Sequence, residues 1–237
     1  MIDRAGIRAL LTRVPVIGQL VLKIKRSIVP TKQFRGSTSY WETRYLGGGN
    51  SGAGSYSRLA LFKAEIINDF VSKNRVRSVI EFGCGDGNQL KLAEYQQYTG
   101  FDVSQKAIEN CRDMFAGDKT KKFAVLSTYN RESAELALSL DVIYHLVEDS
   151  IFEEHMKLLF GSSRRYVIVY SSCDEALNSE ETPKHVRHRN FLHCVAGNGS
   201  DWTLREKIVN RFPFDGKNSN DSSFADFYIF EKMETQR

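Results

Sequence analysis

Four stretches of the chain carry residue types and spacings suited to chemistry. The first is Glu81-Phe82-Gly83-Cys84-Gly85-Asp86-Gly87-Asn88, in which alternate glycines follow an apolar run that ends in an acid. A turn of this kind admits close backbone approach to a ligand and exposes free amides at the start of a following helix. The second is Asp102, which closes the next apolar run in Gly100-Phe101-Asp102-Val103. It stands at about the separation from the glycines at which a carboxylate meets the two hydroxyls of a ribose. Each feature also has a purely structural explanation. The glycines would serve any strand-to-helix turn, and Asp102 would cap the helix after it, although Ser104 is better placed for that task.

The third stretch is Tyr144-His145-Leu146-Val147-Glu148-Asp149-Ser150, a phenol, an imidazole and two carboxylates in one run. Here Ser150 and Glu153 have the spacing of a capping box, and the two acids suit the positive end of a helix. Further on, Pro183-Lys184-His185-Val186-Arg187-His188-Arg189 gathers two histidines and three cations. On a helix, His185, His188 and Arg189 would share one face. That face would suit a phosphate or carboxylate, a metal held with His145 or an acid, or plain solvent. His155 and His193 fall inside helical patterns and are read as structural.

The elements that must position these residues follow from periodicity. Leu59, Phe62, Ile66 and Phe70 recur at helical spacing across 57–71. Strand-like runs then alternate with helical patterns: strands at 76–82, 98–102, 123–126, 140–144 and 166–170, and helices at 89–94, 105–115, 131–138, 151–160 and 184–196. This alternation predicts an α/β fold with a doubly wound, mostly parallel sheet. The runs 203–212 and 224–231 are joined by a loop too short for a crossover helix, so they are expected to pair antiparallel. Between Leu46 and Tyr56 the glycine-rich run LGGGNSGAGSY is a loop, either mobile or shaped around a ligand by its amides.

The run VIEFGCGDGNQL, the acidic end of the next strand and Asp141-Val142-Ile143-Tyr144 resemble the class I S-adenosylmethionine-dependent methyltransferases. The third glycine follows after one residue, whereas dinucleotide-binding turns space it by two. The resemblance covers about residues 57–231 and implies a Rossmann-like, seven-stranded sheet with an antiparallel last strand. It implies S-adenosyl-L-methionine as cofactor, with Glu81, Gly83, Gly85 and Asp86 at its methionine and ribose end and Asp102 on the ribose hydroxyls. It places His145, directly after strand four, towards the transferred methyl group. The segment Tyr40-Trp41-Glu42-Thr43-Arg44-Tyr45 resembles the aromatic stretch that closes over the donor in small-molecule members; it would serve equally as a core lid. There is one departure. Many members place an acid just after the third strand to meet the adenine amino group, and this chain has Ser127-Thr128-Tyr129 there.

These readings combine into an expected function: methyl transfer to a hydroxyl or phosphate oxygen of a small anionic acceptor. His145, His185 and His188 are the candidate catalytic residues, as bases for a hydroxyl or as clamps for a phosphate. Tyr144, Arg187 and Arg189 are the candidate acceptor contacts, and no resident metal is assigned. A looser similarity to methyltransferases found beside bacterial surface-glycan enzymes points to glycan or secondary metabolism. The rivals are an RNA or protein methyltransferase, a non-catalytic nucleotide-binding scaffold and, more distantly, a dehydrogenase.

Composition narrows the choice. The 237 residues are 41% hydrophobic and 26% charged, enough for a globular core. Residues 1–35 hold eight Lys/Arg against Asp3, so the remainder is slightly acidic although the chain carries +4. The acidic body argues against an RNA or protein acceptor, and the absence of the N/D-P-P-Y/F tetrapeptide, which the family resemblance ties to methylation of base amines or glutamine amides, argues against base amino groups. The expected organisation is a basic amphipathic extension at 1–35 and a methyltransferase domain at 36–237. Residues 1–29 interleave apolar and basic side chains, suited to an anionic membrane surface or to packing on protein. No apolar run there is long enough to span a bilayer. Four scattered cysteines fit a reducing compartment, so the expected location is the cytoplasm, peripheral to the inner face of the membrane if 1–29 meets lipid rather than protein.

Overall fold

The computed structural model describes residues 34–195, 201–216 and 220–233. The basic amphipathic segment 1–29 lies outside the described residues. Two helices, α1 (Ser37–Leu46) and α2 (Ser57–Lys73), precede a seven-stranded sheet. The rest follows as β1 (Ser78–Phe82), β2 (Gln97–Asp102), α3 (Gln105–Met114), β3 (Lys121–Val125), β4 (Ala134–Leu140), α4 (Asp149–Gly161), β5 (Ser163–Ser171), α5 (Leu192–Val195), β6 (Trp202–Ile208) and β7 (Asp226–Lys232).

The strand order is β3-β2-β1-β4-β5-β7-β6. Strands β1 to β5 run parallel, and β7 lies antiparallel to both β5 and β6. This is the expected doubly wound sheet with its antiparallel last strand. The order reverses between β1 and β4, and ligands bind outside the carboxyl ends of strands at such a switch point. Register brings the relevant ends level: Phe82 pairs with Phe101, and Asp102 with Val125.

Both faces of the sheet are buried, so its central strands are mostly apolar, with Glu81 of β1 and Ser139 of β4 among the few buried polar side chains. One core packs Phe62, Ile67 and Phe70 of α2 on Val79, Leu136, Leu138 and Ile168. The other packs Phe152, Met156 and Leu159 of α4 on Ile80, Ala137, Val167 and Val169.

Five local expectations are corrected. The helix expected at 131–138 and the strand at 140–144 are replaced by β4 at Ala134–Leu140, with only a short helical turn at Leu126–Thr128 in the crossover. Ala, Leu and Glu favour helices in isolation, but here Leu136 and Leu138 face one core and Ala137 the other. Burial on both faces overrides propensity, and Asp141 leaves the strand at φ +60°. The helix expected at 184–196 shrinks to α5, because residues 185–189 are bound to neighbouring segments in an irregular path. The helix expected at 89–94 is a single tight turn, Gln89–Leu92. The Ser150–Glu153 capping box does not form, since α4 already starts at Asp149 after an extended Glu148. Ser104 does cap α3, its Oγ accepting from the Ala107 N–H at 3.2 Å.

Candidate active site

The turn after β1 holds Gly83, Gly85 and Gly87 at φ +89°, +58° and +78°. A Cβ on Gly83 would run into Val142 and one on Gly85 into the Ser51 hydroxyl, so bare backbone is required at both. Asp102 closes the turn from the side, accepting from the Gly85 N–H at 2.9 Å and the Ser104 N–H at 2.9 Å. Each carboxylate oxygen retains a further lone pair. Burial raises the Asp102 pKa to about 6 against the pull of those two amides.

Asp86 faces the other way. Its Oδ2 accepts from the Ser51 N–H at 2.9 Å and the Tyr56 hydroxyl at 2.8 Å, and its own N–H donates to Ser51 Oγ at 2.9 Å. Tyr45 of α1 meets the same Ser51 hydroxyl at 2.9 Å. Asp86 therefore shapes the glycine-rich loop after α1 and fastens it over the turn, and it is absent from the cleft wall.

Glu81 is buried, with the Tyr98 hydroxyl donating to its Oε2 at 2.6 Å. Burial lifts its pKa to about 7, opposed by that bond and by the Lys63 charge. Lys63 is itself wholly buried on α2 and pairs with Asp141 Oδ2 at 2.5 Å. Asp141 Oδ1 accepts from the Tyr144 hydroxyl at 2.8 Å. Tyr144, expected to touch the acceptor, is thus buried as a partner of Asp141 and does not line the cleft. Sequence reasoning missed Lys63, although a signal was present: with Leu59 and Ile67 it shares one helical stripe, where a lysine is out of place.

His145 stands at the end of the turn after β4. Its ring lies edge-on to Trp41 of α1, with centroids 4.8 Å apart, and stacks on His185 at 5.5 Å. His185 stacks in turn on Tyr40 at 4.2 Å. Nδ1 of His145 is 3.0 Å from the His185 carbonyl oxygen, which only accepts, so Nδ1 carries the proton and Nε2 keeps its lone pair. Burial lowers the His145 pKa to about 4, so the ring is neutral at pH 7.

The start of α1 is fixed to the start of α4. Ser37 donates to Glu148 from its N–H at 2.9 Å and from Oγ at 2.6 Å, while Val147 N–H donates to Ser37 Oγ at 3.0 Å. Helix α1 consequently roofs the site.

The cationic cluster is built differently from expectation. Arg189 is buried; its Nε reaches the Leu146 carbonyl at 3.1 Å, Nη2 the Val147 carbonyl at 2.6 Å and Nη1 Asp149 at 2.6 Å. Arg187 is exposed and also donates to Val147 O at 3.1 Å and Asp149 Oδ1 at 3.0 Å. His188 is buried, with Nδ1 2.7 Å from Ser172 Oγ. With no helix at 185–189, the shared face does not exist, and both guanidinium groups are committed to holding this segment against the start of α4. Only His185 of the four touches His145. Among the described residues no three His, Cys, Asp or Glu side chains come together as a metal site.

Glu81, Gly83, Gly85, Asp102, Asp141 and His145 all line one cleft of about 670 Å³ at the carboxyl edge of the sheet, roofed by Ser37, Trp41 and Tyr45. Gln89 also lines it and has its Oε1 buried without a partner. A second cleft, about 730 Å³, opens beside Asn74, Arg77, Glu135 and Arg165 at the amino edge of β1 and β4. It has no glycine turn and lies away from the switch point, where ligands bind in such sheets, so the first cleft is the candidate functional site. Among the described residues no helix is long and apolar enough to cross a membrane.

Residues 80–160 match a family model described as a methyltransferase domain. No curated protein sequence matches. Among solved structures, the chain is similar to the N-methyltransferase NodS from Bradyrhizobium japonicum WM9 in complex with S-adenosyl-L-homocysteine. The identity is 15% and the TM-score 0.65, over 84% of this chain and 100% of that one. It is also similar to magnesium protoporphyrin IX methyltransferase from Synechocystis PCC 6803 with bound S-adenosylmethionine, at 13% identity and a TM-score of 0.58, over 85% and 100%. The methyltransferase domain of bacterial CtHen1 is 20% identical with a TM-score of 0.56, over 73% and 97%.

Proposed function

We propose that this chain is an S-adenosylmethionine-dependent methyltransferase and that it methylates a hydroxyl oxygen of a small molecule bound beneath α1, with His145 accepting the proton. The observation that carries this reading is the fixed tautomer of His145: a neutral ring with Nδ1–H held by the His185 carbonyl and Nε2 unprotonated.

The residues present fit the donor. Side chains at Gly83 and Gly85 would fill its cradle, Asp102 has acceptor capacity left for the ribose hydroxyls, and Gln89 offers an orphaned oxygen. The bound donor supplies an electrophilic methyl on a sulfonium. Glu81, Asp102 and Asp141 against Lys63 leave the cleft net negative, which favours that cation. Asp86 acts indirectly by keeping the loop after α1 in place.

The acceptor lies on the His145 side, between Trp41 and Leu146, where the walls are aromatic and apolar. Trp41 and the His145 ring orient it, and Nε2 receives the hydroxyl proton as the oxygen attacks. The walls of this cleft include no Lys or Arg, and Arg187 and Arg189 are spent elsewhere, so a neutral hydroxyl compound fits better than the anion expected from sequence.

The test is a screen of neutral and anionic hydroxy compounds for S-adenosylhomocysteine release, followed by His145→Gln on the best acceptor. General-base loss lowers kcat by about a hundredfold or more with S-adenosylhomocysteine affinity unchanged. With the donor saturating at every pH, the profile of kcat should fall off on the acid side near pH 4 rather than 6.5. Full kcat in His145→Gln overturns the assignment.

A further inference from the structure

The cleft extends past the ribose-binding carboxylate. Since β2 and β3 end side by side, Val103 and Ser127 follow Asp102 and Val125 at one rim of the cleft. A donor with its methionine end at Glu81 and its ribose on Asp102 must lay its base along this rim. The opposite wall is a stripe of α4: Ile151, Glu154, His155 and Leu158, spaced as one helical face.

An adenine base presents an exocyclic amino group that needs an acceptor, and a carboxylate is the strongest one available. The turn after β3 has none to offer. Thr128 Oγ1 donates back to the Val125 carbonyl at 2.8 Å, and the Tyr129 hydroxyl to the Glu132 carbonyl at 3.0 Å. Glu132 is itself turned to the Asn130 N–H at 2.7 Å and does not line the cleft. Of the carboxylates that do, Glu81, Asp102 and Asp141 sit at the methionine and ribose end. His155 has its Nε2 engaged with Ser139 at 2.8 Å. Glu154 is exposed, and no partner for its carboxylate appears among the described residues.

We propose that Glu154, from α4, accepts the adenine amino group of the donor and so replaces the acid missing after β3. This rests on the donor reading given above. Its consequence is base selectivity: Glu154 attracts a 6-amino purine and repels a 6-oxo purine, whose O6 is an acceptor.

The experiment is calorimetric titration of the full chain and its Glu154→Gln variant with S-adenosylhomocysteine and with its 6-oxo analogue, S-inosylhomocysteine. Wild type should bind the adenosine ligand much more tightly. In Glu154→Gln the adenosine ligand weakens about tenfold, the scale of one charge-assisted hydrogen bond, while the inosine ligand holds or tightens because the amide N–H donates to O6. An unchanged ratio in a variant that still binds overturns the role of Glu154 alone. No binding of S-adenosylhomocysteine by wild type overturns the donor reading and this inference together. Glu154 is exposed, so the substitution leaves the core untouched.

Discussion

The Gly85 N–H donates to Asp102 Oδ2 at 2.9 Å, which joins the glycine turn after β1 and the carboxylate ending β2 into one hydrogen-bonded unit. The strands are neighbours in the sheet, and the bond sits where the chain leaves both of them at the carboxyl edge, beside the switch point. A single carboxylate thereby shapes the cradle and keeps acceptor capacity for the ligand.

That double duty gives donor binding a pH dependence. Burial raises Asp102 to about 6 and Glu81 to about 7, so both are largely ionised at pH 8 and protonated at pH 5. Ribose hydroxyls and the ammonium at the methionine end, which donor and S-adenosylhomocysteine share, favour the ionised forms, so affinity falls as pH drops through this window. The folding linkage has the opposite sign: acids whose pKa is raised by folding stabilise the unliganded protein below their unfolded values, and this is lost as pH rises through 6 to 7. Calorimetry with S-adenosylhomocysteine between pH 8 and 5.5 should show about a tenfold loss, each protonation being a linked equilibrium. Asp102→Asn should bind weakly throughout with a flatter profile. An affinity constant across that range would contradict the geometry.

The buried pair beneath the cleft predicts a stability pattern. Lys63 is inaccessible on α2, its ammonium on Asp141 Oδ2 and 5.3 Å from the centre of the Tyr170 ring. Removing one partner of such a pair strands the other, at about 3–5 kcal/mol, whereas removing both is far milder. Denaturant melts should therefore show Lys63→Met severely destabilised and Lys63→Met/Asp141→Asn substantially recovered. Additive losses in the double variant would show that the pair is not coupled.

What was legible in the sequence follows the range of the interactions involved. The glycine turn, Asp102, the parallel alternation and the antiparallel close are written in local patterns, and the structure has them in the expected order. Strand β4 was misread because Ala-Glu-Leu-Ala-Leu-Ser-Leu satisfies both helix propensity and period-two alternation, and only its place between β1 and β5 decides. The role of Asp86 depends on Ser51 and Tyr56, some thirty residues earlier in the chain, which no local spacing reveals. The histidine and arginine run at 185–189 was read as a helix face, but long-range bonds shape it: Asn178 Oδ1 accepts from the His188 N–H at 2.9 Å, and the Arg187 N–H reaches the Tyr144 carbonyl at 2.7 Å.

This last arrangement separates a structural cation from a substrate-binding one. The buried Arg189 guanidinium bridges the Leu146 and Val147 carbonyls and Asp149, and lies over the Phe152 ring at 4.7 Å. It holds the turn that carries His145 against the start of α4. A planar fork meeting three acceptors is not reproduced by an ammonium. Arg189→Lys should therefore lower stability by about 2 kcal/mol, within the range for groups left unpaired on burial, and lower kcat through a displaced His145. It should leave KM for the acceptor nearly unchanged at temperatures where the variant is folded. An acceptor-binding arginine behaves in the reverse way, raising KM in a protein of wild-type stability. A thermal melt and a KM-against-kcat comparison on the same preparation distinguish the two, and a rise in KM alone would return Arg189 to the acceptor site.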